Sequence, residues 1–277
     1  MVGSVVTANG APFRIIVIPA RHASTRFPGK PLAPLRGVNG LARPLIERTW
    51  RTAATVPGIA RVLIATDDEA IAATARGFGA EVVMTPTSCI NGTERCAAVL
   101  DLFDQDPDLV INLQGDAPLT PASVLTALIA RMEAAPNLAV ATPATPCTPG
   151  VLSSLITDQD AGRVGGTTVV FDTAHHALYF SKRVIPSVAP AQLAQQAHHV
   201  HLHMGVYAYR PPALRAYAAA GPARLEALEG LEQLRFCENG IVVGVALCPP
   251  PGWDAIECNN PADVPLIERI LAQRGID

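Results

Sequence analysis

The sequence predicts an α/β fold: a mainly parallel sheet with helices on both faces, carrying a mainly β inserted subdomain. Three observations predict it. Short apolar runs alternate with helix-period segments over residues 14–144, the pattern of strand–helix–strand units that build a parallel sheet. After the Pro-rich stretch TPATPCTPG (142–150), strand-like runs follow one another with little helix between them. A buried-strand pattern and an amphipathic segment then close the chain over 241–275.

The elements follow in order. RIIVIPA (14–20) reads as a strand, and ARPLIERTWRTAATV (42–56) places apolar residues at helical spacing. RVLIATD (61–67) is a strand, DEAIAATARGFG (68–79) a helix ending at Gly, and AEVVMT (80–85) a strand. GTERCAAVLDLF (92–103) reads as a helix, with Thr93 as a candidate cap. DLVINLQ (108–114) is a strand, TPASVLTALIARMEAA (120–135) a helix with Pro121 in its first turn, and AVATPA (139–144) a strand. RVGGTTVVF, ALYFSK and HVHLHMGVYAYR are strand-like, with PAQLAQQAH (190–198) the one helix candidate among them. LEALEGLEQLRF (225–236) reads as one helix. This excursion spans about 85 residues by typical element lengths. IVVGVALCP (241–249) returns as a buried strand, and PADVPLIERILAQRG (261–275) is a final helix.

Composition narrows the function classes. The 277 residues are 49% hydrophobic and 16% charged, with 21 basic and 24 acidic side chains and a net charge of −3. That is globular, and nothing in it points to nucleic-acid binding. The longest apolar runs are too short to span a membrane. MVGSVVTANGAPF (1–13) lacks a basic region and a long apolar core, so it reads as a leader and not as a signal peptide. Six cysteines without CxxC spacing read as reduced buried thiols. In HHVHLH (198–203), His199, His201 and His203 would share one strand face, which reads as a polar face with room for one ligand-binding His rather than a metal site.

Open α/β sheets bind ligands beyond the C-terminal ends of their strands. The informative residues therefore follow RIIVI, RVLIA and DLVIN. After the first strand, PARHASTRFPGKPL (19–32) gathers Arg21, Arg26 and Lys30, with Ser24 and Thr25 as hydroxyl donors. Forked guanidinium donors and an ammonium point charge suit a polyphosphate. It is neither a P-loop, since Pro31 follows Lys30 and Ser24 stands where the first Gly belongs, nor a G-x-G-x-x-G loop. After the third strand, VINLQGDAPLTP places Asp116 beyond Gly115. Asp116 either opens a turn or holds a carboxylate for chemistry.

The loop, LIATDDEAIAATARGFGAEVVMT, NGTERCAAV, VINLQGDAPLTP, ALYFSKRVIPS, HMGVYAYR and LEGLEQLRF occur in that order. This ordered set resembles the 3-deoxy-manno-octulosonate (Kdo) cytidylyltransferase family over roughly residues 14–275. The resemblance implies a nucleotide-diphospho-sugar transferase-like, Rossmann-like sheet. It implies transfer of CMP from CTP to the anomeric hydroxyl of Kdo or a related 3-deoxy ulosonic acid, with Mg²⁺ as cofactor and pyrophosphate as product. It also implies a cytoplasmic homodimer serving lipopolysaccharide biosynthesis, with no nucleic-acid or membrane partner. Other sugars, a sialic-type acid or a sugar 1-phosphate, and a catalytically impaired nucleotide-binding homologue are the alternatives.

Carried over residue by residue, the resemblance puts Ala20, Arg21, Ser24, Thr25, Arg26, Lys30, Arg95 and Gln114 around the nucleotide, with Arg21, Lys30 and Asp116 catalytic. Asp116 is the metal carboxylate. The family's second metal carboxylate falls on Asn259, with Asp254 or Glu257 as substitutes. Lys182, His203, Tyr207, Glu232 and Gln233 fall on the sugar acid. Lys182 stands where the family has Arg, Ala117 where it has an acid, and Gly165-Gly166-Thr167-Thr168 where it carries Asn and Lys. These departures gather on the acceptor side and point to a variant sugar acid, such as an amino- or deoxy-modified octulosonate. The expected division is 1–13 leader, 14–150 nucleotide-binding α/β part, 151–236 inserted β-rich part for sugar-acid binding and dimerisation, and 237–277 return to the sheet, within one compact domain.

Overall fold

The structure is a computed structural model that describes residues 12–22, 27–250, 252 and 257–277. Of the expected leader, only Pro12 and Phe13 are among them. The chain folds as two compact units, Met1–Thr126 with Gly252–Asp277, and Ala127–Pro251.

In the first unit the strands are β1 (Arg14–Ala20), β2 (Pro34–Arg36), β3 (Ala42–Pro44), β4 (Arg61–Thr66), β5 (Glu81–Met84) and β6 (Leu109–Leu113). β1 pairs in parallel with β4 on one edge and β6 on the other, and β4 pairs in parallel with β5. β2 and β3 form a separate antiparallel pair. The main strands are continuous β-branched runs: Ile15, Ile16, Val17 and Ile18 of β1 and Val110 and Ile111 of β6 are buried. That is the composition of a sheet covered on both faces. The strand order β5-β4-β1-β6 reverses direction of winding between β1 and β6. This is the switch point where such sheets leave a crevice for ligands.

Helices Leu45–Ala54, Glu69–Gly77 and Gly92–Val99 connect these strands. Asp68 caps the second, accepting from the Ile71 N–H at 2.9 Å. The third is capped by Asn91, which accepts from the Glu94 N–H at 2.9 Å, and not by Thr93. Thr93 is buried inside the first turn, because the helix starts two residues earlier than a Thr93 cap would place it. The last helix, Val264–Gln273, returns to this unit. Its Ile267, Ile270 and Leu271 share a core with Leu35, Leu45, Leu119 and Cys258.

The second unit is built on β7 (Val140–Pro146), β8 (Thr168–Phe171), β9 (Ala177–Ser181), β10 (His201–His203), β11 (Val206–Tyr209) and β12 (Val243–Leu247). β7 is its centre, antiparallel to β10 and β11 and parallel to β12. β8 joins β10 and β9, both antiparallel. The helix Ala122–Ala134 begins in the first unit and ends in this one.

Three helix expectations are corrected here. Pro149–Asp160 and Pro211–Ala220 are helices in segments read as strand or connection. Both begin with Pro at the first turn, where its missing N–H costs nothing. The run at 225–236 is not one helix but two, Arg224–Glu229 and Leu234–Glu238. Gly230 breaks it, with φ 62° and ψ 41°, the left-handed stop that glycine adopts without steric cost. Glu232 and Gln233 therefore lie in the turn between two helices.

Gly115 shows how tightly β1 and β6 approach at their ends. A Cβ there would lie 2.8 Å from the Pro19 carbonyl oxygen and 3.0 Å from Ile46 Cδ1, and backbone cannot yield as a side chain can. Gly115→Ala is expected to lower the unfolding free energy by about 1–3 kcal/mol, read as a shift in urea midpoint at unchanged slope.

Candidate active site

In the first unit, Arg21, Lys30, Gln114 and Asp116 follow the ends of β1 and β6, which flank the switch point. Ala20 ends β1, and Arg21 follows it, exposed, donating from Nη1 to the Ile90 carbonyl at 3.4 Å. Ser24, Thr25 and Arg26 lie outside the described residues. Lys30 opens a 3-10 turn, Lys30–Leu32, after Gly29 at φ 69°. Its ammonium donates to Asp116 Oδ2 at 2.5 Å, with 13% of the Lys30 and 25% of the Asp116 side chain exposed. The basic loop after β1 and the carboxylate after β6 are thus one ion pair. Asp116 does sit in a turn, as the first reading of its position had it, and the turn aims it at Lys30.

Gln114 precedes that turn. The side-chain nitrogens of Gln114 and Asn112 would lie 2.9 Å and 3.2 Å from a Cβ at Gly92. The glycine at the start of helix Gly92–Val99 leaves the room these amides occupy. Arg95 is buried and held at both ends of its guanidinium: Nη2 donates to Asp67 Oδ2 at 2.6 Å and Nη1 to Thr85 Oγ1 at 2.6 Å. Arg95 thereby ties the β4 end to the start of its own helix. Asp67 was legible in principle, since it is the first residue beyond RVLIAT, one of the three strand ends the fold singles out.

The segment around Asn259 reaches the same place from the far end of the chain. The Cys258 N–H donates to the Asp116 carbonyl at 2.9 Å, and the Asn259 and Asn260 N–H groups both donate to Asp263 Oδ2, at 2.8 and 2.6 Å. Asn259 thus follows directly on a residue bonded to Asp116. Glu257 precedes it, and Asp254 lies outside the described residues. Burial pushes the Cys258 thiol up to about 11, so it remains a neutral core group beside the charged pair. All six cysteines are free. Among the described residues, no group of three or more His, Cys, Asp or Glu side chains could hold a metal by itself.

The second unit holds the acceptor-side candidates. His203 ends β10 with its ring edge-on to Phe180 and tilted against Tyr207. Thr142 Oγ1 lies 2.8 Å from His203 Nε2 and 2.8 Å from the Val206 carbonyl. A hydroxyl has one hydrogen to give. Donated to Val206, it leaves Thr142 to accept from an Nε2–H tautomer, with the His203 Nδ1 lone pair unprotonated. The residue is half-buried, and burial pulls its pKa down to about 3. The buried Tyr207 hydroxyl donates to Gln233 Oε1 at 3.1 Å.

Glu229, which the sequence did not mark, organises Lys182. Its carboxylate accepts from Ser181 Oγ at 2.9 Å, the Lys182 N–H at 3.1 Å and the Tyr179 hydroxyl at 3.4 Å. The Lys182 ammonium lies over Gly230, 2.8 Å from where a Cβ would stand. Next to this turn, Glu226 and Arg235 form a two-pronged ion pair, Nε to Oε2 and Nη2 to Oε1, each 2.7 Å. Burial raises the Glu226 pKa, but Arg235, the Ala223 N–H and the Tyr217 hydroxyl outweigh it and hold the carboxyl below its ordinary value.

A lysine and a carboxylate paired at the switch point of a parallel sheet are what a nucleotidyltransferase site calls for. Comparison with known proteins refines this. The chain belongs to the cytidylyltransferase family, whose sequence profile it matches over residues 15–243. It is 42% identical over 261 residues to the 3-deoxy-manno-octulosonate cytidylyltransferase of Maricaulis maris, across 94% of this chain and 98% of that one. It is 36% identical over 260 residues to the 8-amino-3,8-dideoxy-manno-octulosonate cytidylyltransferase of Shewanella putrefaciens, across 93% and 98%. A solved structure of CMP:2-keto-3-deoxy-manno-octonic acid synthetase complexed with CTP superposes with a TM-score of 0.80 at 31% identity, covering 95% of this chain and 99% of that one. The resemblance drawn from the ordered motifs is borne out.

His203 gives a pH prediction. Its pKa is 6.5 ordinarily and about 3 in the fold, so the folded state binds fewer protons than the unfolded chain between those values. Stability is expected to fall as pH drops from 6.5 towards 3, with a slope of up to ~1.4 kcal/mol per unit from this residue. Urea unfolding across that window should show a shallower decline for His203→Gln than for the wild type. Parallel curves would mean His203 is not held neutral.

Proposed function

We propose that this enzyme transfers CMP from CTP to the anomeric hydroxyl of Kdo or a related 3-deoxy ulosonic acid and releases pyrophosphate. The observation that carries the proposal is the Lys30–Asp116 pair at the β1/β6 switch point. The reaction displaces pyrophosphate at the α-phosphate, and catalysis of such a transfer is mostly positioning and charge neutralisation. Lys30 and Arg21 supply cations at one strand end, joined in the proposal by Ser24, Thr25 and Arg26 of the same loop. Ala20, Arg95 and Gln114 complete the nucleotide side, with the Gln114 amide matched to the base.

The residues present fit a Mg²⁺ ion. Mg²⁺ takes one or two carboxylates together with waters and substrate phosphates. Asp116 brings the charge. The Cys258-to-Asp116 backbone bond supports Asn259 as a neutral oxygen ligand beside it, with Glu257 or Asp254 as the substitutes. When bound, the ion would neutralise triphosphate charge near the α-phosphate. The chain's own groups would bind and orient: from the Lys30–Asp116 pair, Lys30 would serve a phosphate oxygen and Asp116 would hold the ion. Lys182, His203, Tyr207, Glu232 and Gln233 serve the sugar acid. Lys182 offers a point charge to the acceptor carboxylate instead of an arginine fork.

We also infer a cytoplasmic homodimer in lipopolysaccharide biosynthesis, and the functional division into leader 1–13, nucleotide part 14–150, acceptor and dimerisation part 151–236, and return 237–277. These rest on the family resemblance. Among the described residues no helix is long and apolar enough to cross a membrane. Asn259, in place of the expected carboxylate, keeps one second reading in view, a homologue impaired in catalysis.

A pyrophosphate-release assay crossing each common NTP with Kdo, its 8-amino analogue and other ulosonic acids tests both readings. Mg²⁺-dependent release with CTP is expected, and no release with any pairing would overturn the proposal. Asp116→Ala should abolish turnover while CTP still binds, more weakly. Asn259→Asp should raise activity or lower the Mg²⁺ requirement, and an unchanged enzyme would move the second ligand to Asp254 or Glu257.

A further inference from the structure

The turn Glu229–Gln233 carries or touches most of the acceptor-side residues, and it is short, mostly irregular backbone. Glu229 holds Ser181 and the Lys182 N–H. Gly230 lies beneath the Lys182 ammonium. Glu232 follows, and Gln233 takes the Tyr207 hydroxyl. Turns of this kind sample many conformations unless something fixes their ends.

Here the ends are fixed by an ion pair. Glu226 lies in the helix before the turn and Arg235 in the helix after it, nine positions apart. The Arg235 side chain is 0% exposed. Beyond its two bonds to Glu226, its Nη1 donates to the Tyr217 carbonyl at 3.3 Å, and its Cζ sits 3.9 Å from the centre of the Tyr217 ring. Glu226 accepts in addition from the Tyr217 hydroxyl at 3.2 Å and the Ala223 N–H at 3.0 Å. The backbone agrees: the Leu231 N–H donates to the Glu226 carbonyl, and the Arg235 N–H to the Glu232 carbonyl, each at 3.2 Å. A planar fork on a carboxylate fixes angle as well as distance, and lysine cannot reproduce it. Buried pairs of this kind contribute little net stability compared with apolar residues of the same volume. Their value lies in specifying one arrangement.

We propose that the Glu226–Arg235 pair is a positioning clamp for acceptor recognition: it closes the turn Glu229–Gln233 in one geometry and so sets Lys182, Glu232 and Gln233 against the sugar acid. It acts through those residues and touches neither substrate. The inference rests on the acceptor role given to them above. The clamp therefore governs the acceptor and leaves the nucleotide alone.

Steady-state kinetics of the full chain test this, with each substrate varied in turn. In Arg235→Lys the KM for the sugar acid should rise about tenfold or more, while the KM for CTP stays near the wild-type value. Because a lone buried charge can unfold the protein, Glu226→Leu/Arg235→Met is made alongside. This neutral pair should fold with nearly normal thermal stability and still show the raised acceptor KM. A purely structural role would lower the yield of active enzyme, and with it kcat, without separating the two KM values. A folded variant with wild-type acceptor KM, or with both KM values moved equally, overturns the clamp. Failure of the wild-type enzyme to release pyrophosphate with any ulosonic acid would instead remove the functional reading beneath it.

Discussion

The Lys30–Asp116 ion pair joins the two strand ends on which the proposed chemistry depends. One partner follows β1 and the other follows β6, and these strands meet at the point where the winding of the parallel sheet reverses. The close approach is built into the backbone: Gly115 lies against the Pro19 carbonyl, and any side chain would push the ends apart. The partly buried charges neutralise each other. In the proposed reaction a triphosphate would take the ammonium, and a hard cation would take the carboxylate.

The chain returns to this unit after residue 251 and meets one member of the pair. Cys258, buried in the core with Leu35, Leu45 and the last helix, donates its N–H to the Asp116 carbonyl. The buried thiol is thus an anchor and not a ligand. Its neighbour is Asn259, proposed above as a neutral oxygen ligand; on that proposal Asp116 would carry the greater share of the charge opposite a cation.

Much of this was legible in the sequence, because the first unit is made of locally consistent signals. RIIVIPA is a strand over its full length, and the Asp68 and Gly79 punctuation bounds its helix. Asp116 and Lys30 were singled out as strand-end residues before their contact was known. The second unit was harder to read. Helix Pro149–Asp160 hides in a Pro- and Ser-bearing stretch whose buried side chains, Leu152 and Leu155, are few. The split at Gly230 is a single backbone conformation inside an otherwise helical pattern. Pairings between distant residues left no mark at all: nothing in the local sequence says that Thr142 meets His203, that Glu229 accepts from the Lys182 N–H, or that Arg95 pairs with Asp67.

The central claim is that Lys30 and Asp116 exchange each other for a phosphate and a metal. The most direct measurement is a crystal structure of the protein with CTP and Mn²⁺, using the anomalous signal of the manganese. The account predicts a manganese peak coordinated by Asp116, with the Lys30 ammonium moved onto a triphosphate oxygen. CTP bound with the Lys30–Asp116 pair intact and manganese absent from Asp116 would contradict it.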